Sequence, residues 1–291
     1  MSAEPQPNII SQLRMIRWQR VLLWIAIGGV MFVALYPVVW ALITSFKRAD
    51  DALQATVIPF LQFQPTLDNW SLALTRNEGR ALVAFSSSLV IALGAALVAL
   101  LLGTLAGYGL ARYRYGIGNR TVIAWLLAQR LLPPVATIIP VLLIFEPLRL
   151  TDSYIGLIAV NTTFVLPFAV LIMRDCFAEL PPELREQALV DGANDYQAFR
   201  RIALPLARPA LAAAAVICFA FAWNEFMFAS VLAGPNTRTF PLLVSSGSAA
   251  RESAYGFVAA RALMAVALPV VASLLVQRFI VRGLTFGVVR A

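Results

Sequence analysis

The chain has 291 residues, of which 60% are hydrophobic and only 13% are charged, and its mean hydropathy is +0.79. These values lie outside the range of soluble domains and indicate a polytopic membrane protein. The net charge of +8 does not indicate a nucleic-acid partner, because the basic residues flank apolar segments in the pattern that sets membrane topology.

Six apolar segments are each long enough to cross a hydrocarbon core of ~30 Å as a helix of ~20 residues. They lack the alternation of hydrophobic and polar residues that is typical of membrane β-strands. We therefore predict an all-α polytopic membrane protein with six transmembrane helices in a single transmembrane domain over residues 1–291. The predicted spans lie near residues 21–45, 84–110, 121–145, 154–178, 209–232 and 257–281.

The orientation follows from the basic residues. Six crossings put both termini on one side, and fourteen basic residues fall on that side against eight on the other. Because cytoplasmic loops are enriched in Lys and Arg, both termini and the loop 179–208 are predicted to be cytoplasmic. The first apolar segment is too long for a secretory signal and has no small-residue cleavage site near Ser45, so we expect it to be retained.

In the second span, Gly103 and Gly107 have the small-xxx-small spacing that lets another helix approach closely. We expect a helix contact there.

The third span interrupts its own helix at Pro133-Pro134 and at Pro140. Discontinuous helices often line a pathway through a transporter. Arg130, ten residues past Arg120, would lie ~15 Å deep. A charge at that depth costs at least ~2.5 kcal/mol unless it is paired or hydrated.

Glu225 in the fifth span is the candidate partner of Arg130. A water-accessible, path-lining role and a purely structural buried pair are both compatible with the sequence. The candidate substrate-path residues are Gln129, Arg130, Asn161, Phe164, Asn224 and Glu225.

The loop 179–208 is a polar, helix-prone segment between two spans. Pro181-Pro182 suit the start of a helix, and Glu183 and Glu186 follow where the helix dipole favours negative charge. Gly192 is predicted to end this helix, and Asn194 or Asp195 to cap a second one.

The result is a helix-turn-helix elbow along the membrane. Small Ala188 and Ala193 would permit close entry into a cleft of another protein, which Glu186 and Asp191 would orient by charge. A self-contained structural loop is the alternative.

The spacing Glu-x-Ala-x3-Gly-x9-Ile-x-Leu-Pro resembles the EAA loop of binding-protein-dependent ABC permeases. It is met by Glu186, Ala188, Gly192, Ile202, Leu204 and Pro205. Gln187 replaces the usual first alanine of the EAA triplet. Further segments extend the resemblance to the carbohydrate-importer branch of the family, among them Ser45-Phe46-Lys47, Leu67-Asp68-Asn69-Trp70, Leu150-Thr151-Asp152-Ser153-Tyr154 and Trp223-Asn224-Glu225-Phe226.

The resemblance implies the type I ABC importer permease fold and a place in a bacterial or archaeal cell membrane. The transported solute would be a mono- or oligosaccharide or a related polyol. The implied partners are a second homologous permease subunit in a heterodimer, two cytoplasmic ATPase subunits that bind ATP and Mg, an extracytoplasmic solute-binding protein, and membrane lipid. No nucleic acid, metal or cofactor is expected on this chain.

By the same resemblance the elbow is the coupling helix that enters the ATPase subunit. The expected coupling residues are Glu183, Glu186, Ala188, Asp191, Gly192, Ala193, Ile202, Leu204 and Pro205. The chain has no Gly-x4-Gly-Lys-Ser/Thr phosphate loop, so no catalytic residue is expected. The loops 46–83 and 233–256 would receive the solute-binding protein.

Two alternatives stay open. One is an ABC permease for a non-sugar solute. The other is an ion-coupled secondary transporter, against which the absence of histidine and the scarcity of acidic residues in the spans both argue.

Overall fold

The computed structural model describes residues 9–52, 54–75, 80–113, 115–116, 118–247 and 255–285. Within these ranges the secondary structure is helical, apart from turns and one isolated bridge between Pro59 and Phe63. The helices are α1 (Ile9–Ser45), α2 (Asp68–Thr75), α3 (Arg80–Arg112), α4 (Asn119–Leu131), α5 (Pro134–Phe145), α6 (Tyr154–Glu179), α7 (Glu183–Val190), α8 (Asp195–Ala198), α9 (Leu204–Leu206), α10 (Arg208–Trp223), α11 (Met227–Leu232), α12 (Phe240–Gly247) and α13 (Tyr255–Thr285), with a 3-10 turn at Ala49–Asp51 and a π-helix at Phe199–Ala203.

Among the described residues, four helical segments are long and apolar enough to cross a membrane unaided: Arg20–Ser45, Ala81–Arg112, Tyr154–Glu179 and Tyr255–Gln277. Two bent helix pairs bring the number to six if each pair is one span. The predicted all-α polytopic fold is confirmed.

The third predicted span is the first bent pair, in which α4 and α5 meet at 95°. A residue that precedes proline is disfavoured in the helical region, and the Pro133-Pro134 pair places two such residues in succession. Leu132 and Pro133 accordingly have extended ψ values of 121° and 131°. The break is where the sequence predicts it, but the predicted second break at Pro140 is wrong because α5 continues through that residue.

The chain bends by 75° between Asp195–Leu206 and α10, where the second helix of the 179–208 loop leads into the fifth span. The predicted span 209–232 itself contains a break that the sequence analysis did not predict. α10 then ends at Trp223, and three residues separate it from α11.

The chain forms two compact units, Met1–Trp70 with Glu252–Leu263 and Ser71–Arg251 with Met264–Ala291. In the first unit, α1 exposes its apolar surface along most of the segment Arg20–Ser45, and only Thr44 and Ser45 at its end are buried. The short helix α2 begins at Asp68.

The second unit is built on the contact of α3 with α6. Ala92, Ala95 and Ala99 of α3 are fully buried there. A Cβ atom on Gly103 would lie 2.5 Å from the Cβ of Ala169, and one on Gly107 would lie 2.8 Å from a backbone nitrogen of α6. The predicted close helix contact at these glycines is confirmed.

Candidate functional site

The elbow, defined here as residues 183–205, begins with α7. Pro182 occupies the position before the helix, and Glu183 and Glu186 lie in its first turn, where the helix dipole stabilises negative charge. This start agrees with the sequence analysis.

α7 ends at a left-handed glycine. Gly192 has a φ of +86°. Its amide donates to the carbonyl of Leu189 at 3.1 Å, and the amide of Ala193 donates to the carbonyl of Ala188 at 2.9 Å. This pair of bonds is the Schellman arrangement, which satisfies the last carbonyls of a helix. The prediction that Gly192 ends the first helix is confirmed.

Asn194 caps the second helix of the elbow. Its side-chain oxygen accepts from the amide of Gln197 at 2.8 Å, and the Gln197 side chain accepts from the amide of Asn194 at 3.0 Å. This reciprocal capping box resolves the choice between Asn194 and Asp195. Asp195 instead accepts from Arg185, at 2.9 Å from Nε, and so ties α7 to α8.

Aromatic packing fastens the elbow to the ends of α3 and α6. The ring of Tyr108 lies 5.2 Å from that of Phe177 and 4.8 Å from that of Phe199, measured between centroids. These three residues are buried. Arg112 adds a hydrogen bond of 3.0 Å to the carbonyl of Leu180. The first turn of the π-helix is therefore fixed to both spans.

The outward face of the elbow combines acidic and apolar groups. Glu183, Glu186 and Asp191 are exposed, and the side chains of Val190 and Tyr196 are 87% and 64% exposed. Exposed large hydrophobic residues beside charges are typical of a protein contact surface.

Ala188 differs from the expectation. Its side chain is buried against the chain itself, so it brings α7 close to its own scaffold and does not face a partner. Further along the elbow, Ile202 lies in the π-helix, Leu204 and Pro205 lie in α9, and all three are half-buried.

At the α4–α5 bend, Gln129 contacts α6. Its Nε2 donates to the carbonyl of Thr163 at 3.0 Å. Pro167 lies four residues beyond Thr163 and has no N–H, so this carbonyl has no donor within its own helix. Gln129 supplies the missing hydrogen bond and anchors the end of α4 to α6.

Arg130 and Glu225 do not pair with each other, which corrects the ion pair considered above. The Arg130 guanidinium lies 3.5 Å from the ring centroid of Phe168 and donates to the carbonyl of Phe164 at 3.3 Å. Glu225 accepts from the amides of Phe228 at 2.7 Å and Ala229 at 3.1 Å. Aromatic rings thus stabilise the cation and the start of α11 stabilises the carboxylate.

The remaining candidate path residues are dispersed. Asn161 is buried and donates to Leu157 of its own helix, while Asn224 is exposed after the end of α10. Phe164 packs against Phe228 with ring centroids 4.8 Å apart. Only Gln129, Arg130 and Phe164 meet at one place, the contact of α4 with α6. A path-lining role for all six residues stays a prediction.

The sequence analysis cited Trp223 only within a family motif and missed its contact with another helix. Its indole N–H donates to the carbonyl of Ala265 at 2.8 Å. Pro269 frees that carbonyl just as Pro167 frees the carbonyl of Thr163. The signal in the sequence was a proline inside an apolar span, because such a proline leaves the backbone carbonyl four residues earlier without its helical N–H donor.

Asp152 was also missed as a structural centre. Its carboxylate accepts from the amides of Gly234 at 3.0 Å and Thr237 at 3.0 Å, from the Thr237 hydroxyl at 2.8 Å, and from Asn236. Its own amide donates to the carbonyl of Leu232 at 2.7 Å. Burial favours a higher pKa for the Asp152 carboxyl, but these hydrogen bonds together hold the pKa below its usual value.

The loop that Asp152 holds leads to α12, which packs at the far end of α3 from the elbow. The amide of Phe240 donates to Ser88 at 2.7 Å, twenty residues before Tyr108. Twenty helical residues span about 30 Å, the thickness of a hydrocarbon core. Beside the loop lies a cavity of about 560 Å³ whose wall includes Arg238.

Comparison with known proteins identifies relatives over most of the chain. Residues 99–285 match a family described as binding-protein-dependent transport system inner membrane component. The trehalose transport system permease protein SugB of Mycobacterium tuberculosis is 34% identical, over 88% of this chain and 93% of the relative. The diacetylchitobiose uptake system permease protein NgcG of Streptomyces coelicolor is 32% identical, over 76% of this chain and 70% of the relative.

A similar solved structure is that of a bacterial ABC transporter involved in the import of the acidic polysaccharide alginate. It aligns with a TM-score of 0.71 and 20% identity, over 94% of this chain and 99% of the other. At this identity the likeness shows a shared fold. Together with the match over residues 99–285, it leaves one assignment: the chain belongs to the family of inner membrane components of binding-protein-dependent ABC transport systems.

Proposed function

We propose that this chain is a permease subunit of an ATP-driven importer and that the imported solute is a sugar or related polyol. Two relatives that cover most of the chain are named for trehalose and for diacetylchitobiose, which supports a carbohydrate cargo. Membership in the ABC permease family argues against the ion-coupled alternative.

ATP would be bound and hydrolysed by partner subunits. The only lysine of the chain, Lys47, is followed by arginine and lies outside any glycine-rich phosphate loop. The elbow is the surface through which one of the two ATPase subunits, with its ATP and Mg, would act. Its exposed Glu186, Val190 and Tyr196 form the contact, and the cluster of Tyr108, Phe177 and Phe199 passes movement to α3 and α6.

The membrane core would be a heterodimer with a second, related permease. The unburied apolar surface of α1 supports contacts with another chain or with lipid. The excess of arginines beside the elbow supports the placement of this side and of both termini in the cytoplasm.

The opposite side would receive the solute-binding protein. Asp152 holds the loop 234–237 in one conformation, and the neighbouring cavity offers Arg238 to an acidic side chain. Parts of the proposed docking loops, residues 53, 76–79 and 248–254, lie outside the described residues.

The mechanism is a population shift between inward-open and outward-open states. ATP binding would close the ATPase subunits, draw the two elbows together and open the membrane cavity of the permease pair outward. Hydrolysis would reset the transporter. Gln129, Arg130 and Phe164, at the broken third span, are the best-supported part of the solute path.

The observation that carries the proposal is the elbow, whose family spacing coincides with an exposed acidic and apolar face on a rigid base. The test is Glu186→Arg with Val190→Asp, with Glu179→Arg as the control, since Glu179 is an exposed acid just before the elbow. We expect the double variant to lose both co-purification of the ATPase subunits and ATP-driven uptake into proteoliposomes. Normal uptake by the double variant would refute the coupling role.

The cargo is tested separately. Titration of the cognate solute-binding protein with di- and oligosaccharides, polyols and amino acids identifies the solute. Binding of an amino acid or peptide and of no carbohydrate would overturn the sugar assignment while leaving the permease assignment intact.

A further inference from the structure

In the first unit, a tight turn at Ile58-Pro59-Phe60-Leu61, which we call the apolar tip, is held in a strained conformation. Phe60 has a φ of +64°, which costs energy for a bulky residue. The amide of Phe60 donates to the carbonyl of Phe63 at 2.9 Å. The Gln62 side chain accepts from the amides of Val57 at 2.7 Å and Ile58 at 2.9 Å. These hydrogen bonds offset the strain and make the tip preorganised.

The tip presents large apolar side chains to the outside. Phe60 is 75% exposed and Leu61 is 83% exposed. The sequence 52–67 around them contains no charged residue. Exposed apolar groups on a rigid, strained turn indicate that something outside the turn covers them.

The position of the tip relative to the membrane follows from its attachments to the end of α1. Lys47, two residues past α1, is completely buried and its Nζ donates to the carbonyl of Gln54 at 2.9 Å. The same Nζ lies 5.5 Å from the ring centroid of buried Phe63. The amide of Thr66 donates to the carbonyl of Phe46 at 2.8 Å. Both sides of the tip are therefore fixed where α1 ends.

Helix α2 strengthens this attachment. The amide side chain of Asn69 donates to the carbonyls of Ser45 at 3.0 Å and Lys47 at 2.7 Å, and the Trp70 indole donates to the Ser45 hydroxyl at 3.1 Å. A Cβ atom on Gly256 would clash with the Asn69 side chain, so the packing there leaves no space for one. The base of the tip is a closely packed platform.

The chain length limits how far the tip reaches from its base. Leu61 precedes Phe63 by two residues, and each residue reaches at most ~3.5 Å, so the Cα of Leu61 lies no more than ~7 Å from that of Phe63. A headgroup layer has a similar thickness, about 5–7 Å.

We propose that the apolar tip inserts Phe60 and Leu61 into the boundary between headgroups and acyl chains of the lipid leaflet at this end of α1. The base of the tip is fixed at the end of the membrane-spanning α1, and the absence of charge over residues 52–67 suits lipid better than a docking protein, whose contact rim is ordinarily polar. The tip would fix the height of this unit in the membrane, as interfacial aromatic residues do.

The test places a nitroxide label at Leu61→Cys in a chain that also carries Cys176→Ala and Cys218→Ala. The assembled transporter is reconstituted in vesicles of phosphatidylcholine and phosphatidylglycerol. Collision of the label with oxygen, which concentrates in lipid, is compared with collision with a water-soluble nickel chelate. Ala49→Cys is the control, because this exposed site lies between charged neighbours on the 3-10 turn of the same unit.

We expect oxygen collisions to exceed nickel collisions several-fold at position 61, the reverse at position 49, and no change at 61 when the solute-binding protein is added. Predominant nickel collision at position 61 would overturn the proposal. A fall in collisions with both reagents at 61 only after addition of the binding protein would identify a protein contact and also overturn it.

A second measurement covers the case in which the cysteine-free chain fails to assemble. Phe60→Trp in the otherwise unchanged chain should show stronger fluorescence quenching than its parent in vesicles of lipid brominated near the headgroup. Equal quenching in the two would contradict insertion.

Discussion

At two residues of this chain, a side chain donates a hydrogen bond to a carbonyl that a proline has freed. Gln129 donates to the carbonyl of Thr163, and Trp223 donates to that of Ala265. An unpaired carbonyl in a hydrocarbon environment costs several kcal/mol, so these donors permit Pro167 and Pro269 within membrane helices.

The Trp223 joint yields a double-mutant test. Trp223→Phe should destabilise the chain by about 1–3 kcal/mol, because the buried carbonyl of Ala265 loses its donor. Pro269→Ala restores a helical N–H for the same carbonyl, so Trp223→Phe should cost about 1 kcal/mol less in that background. Equilibrium unfolding in mixed micelles measures both. An equal cost in the two backgrounds would show that only ring packing matters.

These joints could not be predicted as pairs from the sequence. Each proline indicates a carbonyl without a helical donor, but Trp223 and Ala265 are 42 residues apart and come into contact only through helix packing. The same limit explains the wrong pairing of Arg130 with Glu225. Their opposite charges suggested the pair, whereas the Arg130 guanidinium lies against the Phe168 ring and the Glu225 carboxylate accepts from amides at the start of α11.

At the scale of elements, the elbow was predictable because its signals are local. Proline entry, first-turn acids, Gly192 and the Asn194 cap act within a few residues of each other, and each lies where expected. The 95° bend of α4 against α5 was foreseen only as a break, because the angle depends on the contact of α4 with α6.

Gly192 provides the element-scale prediction. A Cβ at this position meets no atom within 4 Å, so only the backbone conformation opposes a substitution. Gly192→Ala should cost about 1–2 kcal/mol for the left-handed φ, and Gly192→Asn should cost less. Hydrogen exchange of the elbow amides should quicken by roughly fivefold or more in the alanine variant. Unchanged exchange in Gly192→Ala would contradict this account of the turn.

At the scale of the whole chain, Asp152 connects segments that are distant in sequence. Its carboxylate fixes residues 234–237, more than eighty positions away, and its amide holds the end of α11. Sequence analysis singled out Asp152 only as part of a family motif. The turn Gly234-Pro235-Asn236-Thr237 indicated a compact loop but not the carboxylate around which it closes.

The charge of Asp152 gives a pH dependence. The pKa of the Asp152 carboxyl is lower in the folded chain than in the unfolded chain, so its stabilisation of the loop 234–237 is complete above the pKa of an unfolded aspartate, ~3.9. This stabilisation is lost as the pH falls through the folded pKa. Asp152→Asn should weaken the loop by about 2 kcal/mol, which raises the exchange rate of the amides of 234–237 about 30-fold. It should also abolish their acid sensitivity.

Hydrogen exchange of the amides of 234–237, measured by mass spectrometry and corrected for the intrinsic pH dependence of exchange, tests this prediction. Ser153→Ala, which removes the helix cap of α6 beside Asp152, is the matched control and should leave the acid sensitivity in place. An acid sensitivity that persists in Asp152→Asn would assign it to another group.

The proline-freed carbonyl of Ala265 has a consequence for helix register. Apolar helices in lipid can slide or rotate against each other with little change in contact area, yet a one-residue slip of α13 would rotate this carbonyl by about 100° and shift it by 1.5 Å, away from the Trp223 indole. A helix with no polar side chain at that point can thus be locked in its axial and rotational setting. Pro269 leaves the carbonyl without a helical donor, and the Trp223 indole can donate to it in only one axial and rotational setting of α13.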